Sequence, residues 1–348
     1  MSLIATVLFM SSVVTISAET KDDINADYIV EYEDGGKDYV FIIAGEENHC
    51  MVPPEGFNPL DATDEMLAKY CFPPRPETPE ELREWTQLMK NYKNTPKPEL
   101  DMVETSKIKK RAMDYVNVYS SSTIMTGYSG TMSGYRAFPY LDEEVSQVQM
   151  NYRQPSVTSV ITNCKNRYGV AIGDCAGVTS VRAGTATEGQ NVHYAWYQTT
   201  GYYVIPEPQM VKISSLTINA GDSIHLYISF EKENNIFTYY IANNTTGQAA
   251  SGRLERNAAD YYDGSTAQWY VERGKINDMN LLNLGNFGTF TPSMCQYKVL
   301  NGTSWNNITN ANIMHQIDMK NFSANRILAT TSSIFGGSCF TCTWQGYN

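Results

Sequence analysis

The sequence predicts an all-β sandwich of antiparallel sheets, preceded by a small α-containing N-terminal segment. Three observations carry this. From about residue 113, short stretches of alternating apolar and polar residues recur between Gly, Asn and Asp turns. No alternating strand–helix rhythm of the kind that builds a parallel sheet accompanies them. Tyr and Gly are equally plentiful, at 24 residues each of 348, a balance that suits short strands and tight turns better than long helices.

In chain order, the first element is an export signal. Leu3 to Met10 begin an apolar run and Ser17-Ala18 is a plausible cleavage site, which assigns residues 1–18 to a signal peptide. The run is too short for a comfortable membrane span, and no later segment is a candidate for one. A secreted protein with no membrane association after signal removal is therefore expected. Residues 19–112 form an acidic segment. They hold 21 acids and 12 bases, against 16 and 14 in the remainder, so most of the net charge of −11 lies here. That balance argues against nucleic acid as a partner.

Within the segment, Asp34-Gly35-Gly36 predicts a hairpin turn, and a short helix is expected near Asp64 to Tyr70. A clearer helix follows: Thr78 is the cap, Pro79 stands at the first helical position, and Glu81 completes a capping box. Leu82, Trp85, Leu88 and Met89 give it an apolar docking stripe. Asn94 to Pro98 reads as a linker, and Lys109-Lys110-Arg111 as either a processing site or a solvated basic turn. Two readings of 19–112 stand side by side: a removable inhibitory prosegment whose helix covers the groove of the main domain, or a permanent N-terminal subdomain.

Residues 113–348 make the main domain. Its expected strands are Val145 to Tyr152, Val157 to Thr162, Val192 to Tyr197, Lys212 to Ile218, Ser223 to Phe230, Ile236 to Ile241, Ala267 to Glu272, Ile313 to Asp318 and Cys339 to Trp344. Because strand residues alternate sides, Ala267, Trp269 and Val271 share an apolar face, while Gln268, Tyr270 and Glu272 share the other. By the same rule Tyr194, Trp196 and Gln198 share a face, and Arg182 points away from the core-facing Val181 and Ala183. Together these outline an open, solvent-lined groove with aromatic walls, amides, one carboxylate and one guanidinium. Such a groove suits an extended chain. Glu272 is the first candidate for acid–base work.

Several stretches resemble the glutamic peptidases, the eqolisin or A4/G1 family. They are Tyr194-Ala195-Trp196-Tyr197, Leu216 to Ile224, Asn244-Thr245-Thr246-Gly247-Gln248 and Ala267 to Glu272, with Asn286 to Phe290 after them. Pro53 to Leu60 with Phe72 to Pro76 resembles the leader of bacterial members. The resemblance covers most of residues 52–345. It implies a concanavalin-like sandwich of two antiparallel sheets and a secreted, monomeric acid endopeptidase that needs neither metal nor cofactor. It also implies a protein or peptide substrate, for which the groove outlined above offers Trp196, Tyr194, Gln198, Gln268 and Tyr270, the two glutamines standing where the family has acids. In that family a Glu activates water and a Gln stabilises the oxyanion. The Glu maps onto Glu272, and the position of the Gln is occupied here by Arg182.

This departure bears on activity. Arg is a stronger oxyanion donor than an amide, but it cannot accept a hydrogen bond from water. A cation against Glu272 favours its ionised form and makes it a poorer general acid. A catalytically silent sandwich binding peptide or glycan in the same groove is therefore the alternative. A glycosidase needs a second, flanking carboxylate, which is not evident. No Gly-x-Ser-x-Gly elbow or His-Glu-x-x-His motif is present, and His193 and His225 read as core residues. Of the seven Cys, Cys164 and Cys175 are spaced to close a hairpin, while Cys339 and Cys342 read as structural, with no metal role.

Overall fold

The computed structural model describes residues 15–17, 26–43, 45–103, 124–140, 143–158, 161, 163–174, 179–189, 191–200, 210–255, 264–277 and 280–347. Lys109 to Arg111, Cys175 and residues 1–18 apart from Thr15–Ser17 lie outside them.

The N-terminal elements are β1 (Thr15–Ser17), β2 (Tyr28–Glu31), β3 (Lys37–Ile43), β4 (Glu46–Val52), α1 (Asp64–Lys69), α2 (Pro79–Met89) and β5 (Leu100–Val103). The main domain runs through β6 (Ile124–Ser129), β7 (Met132–Phe138), β8 (Val145–Arg153), β9 (Lys165–Gly173), β10 (Ser180–Glu188), β11 (Val192–Thr200), β12 (Met210–Ile213), β13 (Ser223–Glu231), β14 (Ile236–Asn243), β15 (Gln248–Glu255) and β16 (Thr266–Arg273). It closes with β17 (Lys275–Asn277), β18 (Asn280–Leu281), β19 (Thr289–Phe290), β20 (Ser293–Val299), β21 (Asn306–Asn307), β22 (Ile313–Asn321), β23 (Arg326–Thr331) and β24 (Cys342–Trp344).

Two large sheets face each other. The first runs β1-β2-β3-β4-β15-β14-β13-β8-β20-β21, and the second β19-β24-β23-β22-β7-β16-β9-β10-β11-β12-β5, with β6 beside β22. All pairs are antiparallel except β6 with β22. Leu226, Ile228, Tyr239 and Ile241 of the first sheet meet Val170, Ile172, Val181, Trp269 and Val271 of the second in one buried core. The polar ends of these large side chains are satisfied: Trp269 Nε1 donates to the Gln149 carbonyl at 2.8 Å.

Two expected strands differ. Val157 and Thr158 lie in a loop, and β12 ends at Ile213, after which Leu216 and Ile218 enter the core from irregular backbone. Burial of isolated apolar side chains mimics strand alternation over so short a stretch.

The N-terminal segment is woven into both sheets. β4 pairs with β15, and β5 with β12. The hairpin between β2 and β3 turns at Gly35, whose φ of +86° favours glycine. Thr78 caps α2, its hydroxyl accepting from Glu81 N. The expected capping box is only half formed, since the Glu81 carboxylate instead accepts from Trp305 N at 2.7 Å. Trp85 and Met89 of α2 join Met51, Tyr70, Phe72, Tyr227, Tyr240 and Ala249 in a second apolar cluster. Tyr227 and Tyr240 alternate with core-facing Leu226 and Tyr239, so α2 covers the outer face of the first sheet. Glu272 alternates with core-facing Val271 on the second sheet and therefore lies on the opposite outer face. The helix stripe does not cover the groove, because its apolar partners lie on the other sheet.

His225 illustrates how the core responds to acid. It is fully buried, with Nδ1 2.6 Å from Asn151 Oδ1, and burial pushes its imidazole down to about 3. It stays neutral in the fold but protonates in the unfolded chain below about pH 6.5. The unfolded state thus binds more protons as pH falls from 6.5 toward 3, and stability drops over that window. The limiting slope is about 1.4 kcal/mol per pH unit. Urea denaturation from pH 7 to 4.5 should show a shallower loss in His225→Gln than in the wild type. Equal slopes would remove His225 from this role.

Candidate active site

The outer face of the second sheet is laid out by strand register, since directly opposed residues in neighbouring strands share a face. One row crosses β11, β10, β9 and β16 as Gln198, Arg182, Ala171 and Gln268. The next is Trp196, Gly184, Gly169 and Tyr270. The third is Tyr194, Ala186, Arg167 and Glu272. Every site residue expected from the sequence falls on these rows. The spacing between β10 and β16 is filled by β9, so Arg182 and Glu272 are not strand neighbours. They meet diagonally, over the glycine row.

Arg182 Nη1 lies 3.5 Å from Glu272 Oε2, longer than a usual charge-assisted hydrogen bond. Arg167 Nη1 reaches the same oxygen at 4.0 Å. Two guanidinium groups therefore converge on one carboxylate. Each also lies near an aromatic face: Arg182 is 5.2 Å from the Tyr270 ring centroid and Arg167 5.9 Å from that of Trp196. Burial pushes the Tyr270 hydroxyl up to about 12. The two arginines oppose this rise, whereas Glu272 adds to it. The hydroxyl has no hydrogen-bond partner among the described residues. Gln268 is fixed by donating from Nε2 to Thr266 Oγ1 at 3.1 Å.

Next to this centre, Lys165 of β9 pairs with Glu188 of β10, whose carboxylate also accepts from Tyr194 Oη at 2.8 Å. Burial lowers the Lys165 ammonium below its ordinary value, and the Arg167 charge lowers it further, against the pull of Glu188. For Glu188 burial acts upward, but the Lys165 contact and the Tyr194 hydroxyl outweigh it and hold the carboxyl below its usual range.

The expected open, solvent-lined groove is not what these side chains form. Trp196 and Tyr270 are fully buried, and Glu272 is 5% exposed. Glycine is the reason. A Cβ on Gly169 would stand 3.2 Å from both Trp196 Cζ2 and Tyr270 Oη, so its absence lets the two rings lie down over the middle row. Met132 and Ile317 pack beside Tyr270, and Met210 beside Trp196.

Arg167, Lys165, Glu188 and the glycine row were missed by the sequence reading. A signal for them exists: Lys165, Arg167 and Gly169 alternate with core-facing Tyr168 and Val170 in the pattern that marks β16. Cys164 is a free thiol in contact with the Gly189 carbonyl, not one half of a hairpin disulfide. His193 is bound at Nδ1 by Thr187 Oγ1 at 2.9 Å and Gln154 Nε2 at 3.2 Å, as suits a structural histidine.

A carboxylate and guanidinium groups lie on the outer face of a two-sheet sandwich with aromatic rings between them, groups of the kinds that exchange protons and stabilise an oxyanion. The Peptidase A4 family model matches residues 143–344, more than half of the chain, and the protein belongs to that family. No curated protein sequence matches the chain at a significant level. Among solved structures, scytalido-glutamic peptidase with a transition state analog inhibitor is similar at a TM-score of 0.52 and 17% identity. The match covers 62% of this chain and 98% of that one. The same enzyme with a peptide-based transition state analog gives a TM-score of 0.50 at 15% identity, with the same coverage of both chains. These likenesses bear on the fold, which is the eqolisin β-sandwich.

Proposed function

We propose that the protein is a secreted glutamic peptidase that hydrolyses peptide bonds with Glu272 as general acid–base and Arg182 as the oxyanion donor. The meeting of these two side chains at 3.5 Å, from strands separated by β9, is the observation that carries the reading. Glu272 accepts a proton from the attacking water as its oxygen bonds to the scissile carbonyl carbon. The negative charge that develops on the carbonyl oxygen is met by the Arg182 guanidinium. Glu272 then returns the proton to the leaving amine as the carbon–nitrogen bond breaks. On this reading Trp196, Tyr194, Gln198, Gln268 and Tyr270 hold the peptide only once their side chains move apart, since all five are buried here. The enzyme acts as a monomer, on unfolded protein, in acid. Secretion rests on the apolar run from Leu3 to Met10.

The Arg182 guanidinium set against Glu272 at 3.5 Å, where the family's Gln is expected, favours a second reading, in which the face binds a peptide or glycan without turning it over. Casein digestion across pH separates the two. On the enzymatic reading, Arg182→Ala lowers kcat by about 10²–10³, as for removal of an oxyanion donor. A rise in activity in Arg182→Gln would mean that the native cation obstructs the chemistry, and would favour the silent module.

A further inference from the structure

We infer that the cleft between α2 and the outer face of the first sheet is a binding site for a primary alkylammonium group. The cleft lies across the sandwich from Glu272, and its ligand does not depend on the chemistry there. Its lining includes Glu81, Glu84, Trp85 and Leu88 of α2, Gln149 of β8, and Trp305 from the chain between β20 and β21. Gln149 alternates with core-facing Val148 and Met150, which turns its amide toward the cleft.

The polar groups in this lining have acceptor capacity to spare. Gln149 is 6% exposed; its Nε2 donates to Gln296 Oε1 at 2.7 Å, while its own Oε1 accepts from no described residue. Glu81 Oε1 accepts from Trp305 N, and Glu81 Oε2 is buried without a partner among the described residues. Neither Glu81 nor Glu84 forms an ion pair with a described residue. Carbonyl and carboxylate oxygens with nothing to accept call for a donor, and an ammonium group brings three N–H bonds and no acceptor. The surroundings set the sign of its charge. Burial, then the charges of Glu80 and Glu81, push the Glu84 carboxyl above its ordinary value, and a cation in the cleft counters that push. The nearby protein cations are placed elsewhere: Arg75 is held by Asp64 at 2.7 Å, and the Lys298 ammonium lies over the Trp305 ring, 5.5 Å from its centroid. Arg75 likewise lies over Trp85, at 5.3 Å. Both indoles of the cleft are thus already partners of cations, and Trp is the aromatic side chain that attracts them most strongly. With Leu88 they supply the apolar wall along which an alkyl stem packs.

Isothermal titration calorimetry of the full chain with n-butylammonium, 1-butanol and butyrate separates charge from shape. The amine is expected to bind at one site, about ten-fold more tightly than the alcohol, and butyrate not at all. Glu84→Gln and Trp305→Leu should each weaken the amine about five-fold. Glu84 is exposed, so its variant tests the site even where Trp305→Leu fails to fold. Glu233→Gln, at an exposed acid that does not line the cleft, should leave the affinity unchanged. Equal binding of amine and alcohol overturns the proposal, as does an absence of binding at about 10 mM amine. So does an affinity untouched by Glu84→Gln, or an equal loss in Glu233→Gln, which would assign the attraction to the net charge of −11 instead of the cleft. The source of the ammonium is read from two further ligands. Tighter binding of an acetylated, amidated Gly-Lys-Gly peptide than of cadaverine assigns it to a polypeptide lysine, and the reverse order assigns it to a free polyamine.

Discussion

On the proposed mechanism, Glu272→Gln is expected to lower peptide-bond hydrolysis by about 10²–10⁴-fold while leaving the sheet intact. The substitution keeps the shape of the side chain and removes its ability to take and return a proton, a function worth about 10²–10⁴ in rate for a positioned acid–base group. The carboxylate is 5% exposed and is approached by both Arg182 and Arg167. Neutralising it leaves two guanidinium groups without their shared partner, so stability should also fall, by about 3 kcal/mol on the scale of broken buried ion pairs. The two effects are separable. Casein digestion is compared at a temperature well below the variant's Tm, with circular dichroism confirming an intact fold. The double variant Glu272→Gln, Arg182→Gln should recover part of the stability and none of the activity. Equal casein cleavage by wild type and Glu272→Gln would remove Glu272 from the chemistry.

Gly184→Ala is expected to be among the most damaging single changes in the chain. A Cβ at this position would stand 2.0 Å from the backbone carbonyl oxygen of Tyr168 and 2.9 Å from the Gly169 Cα. Both obstacles are backbone, so no side-chain rotation relieves the contact. Gly184 also faces Gly169 across the β10–β9 register and Trp196 across the β10–β11 register, so shifting either neighbour disturbs the centre of the second sheet. Overpacking a core costs about 1–3 kcal/mol, and a clash against fixed backbone lies at or beyond the top of that range. A loss of about 3–5 kcal/mol in urea denaturation, or failure to accumulate as soluble protein, is the expected result. A variant within about 1 kcal/mol of wild type would mean that β9 and β10 are paired in another register, and the diagonal meeting of Arg182 with Glu272 would lose its basis.

Much of this was legible beforehand, and the reason is local. The strand period of two requires neighbours only to alternate, so Gln268, Tyr270 and Glu272 could be assigned to one face from their own stretch. The cap and apolar stripe of α2 were equally readable, since Thr78, Pro79 and Trp85 act within one or two helical turns. Arg167 escaped because β9 was not recognised as a strand, although its alternation was present. The half-formed capping box at Glu81 escaped for a different reason. Its competing partner, Trp305 N, is 224 residues away in the chain.

Alternation along each strand, set by the pleat, determined from sequence alone which side chains turn away from the core, and with it the all-β class and the candidate pair. Tertiary structure decided which strands lie side by side, that a second arginine shares the carboxylate, and that the N-terminal helix docks on the far sheet. It also decided that the aromatic rings sink onto a glycine row and bury the centre. The division follows from range: facing is a property of a few consecutive residues, whereas pairing, charge balance and burial depend on segments that only the folded chain brings together.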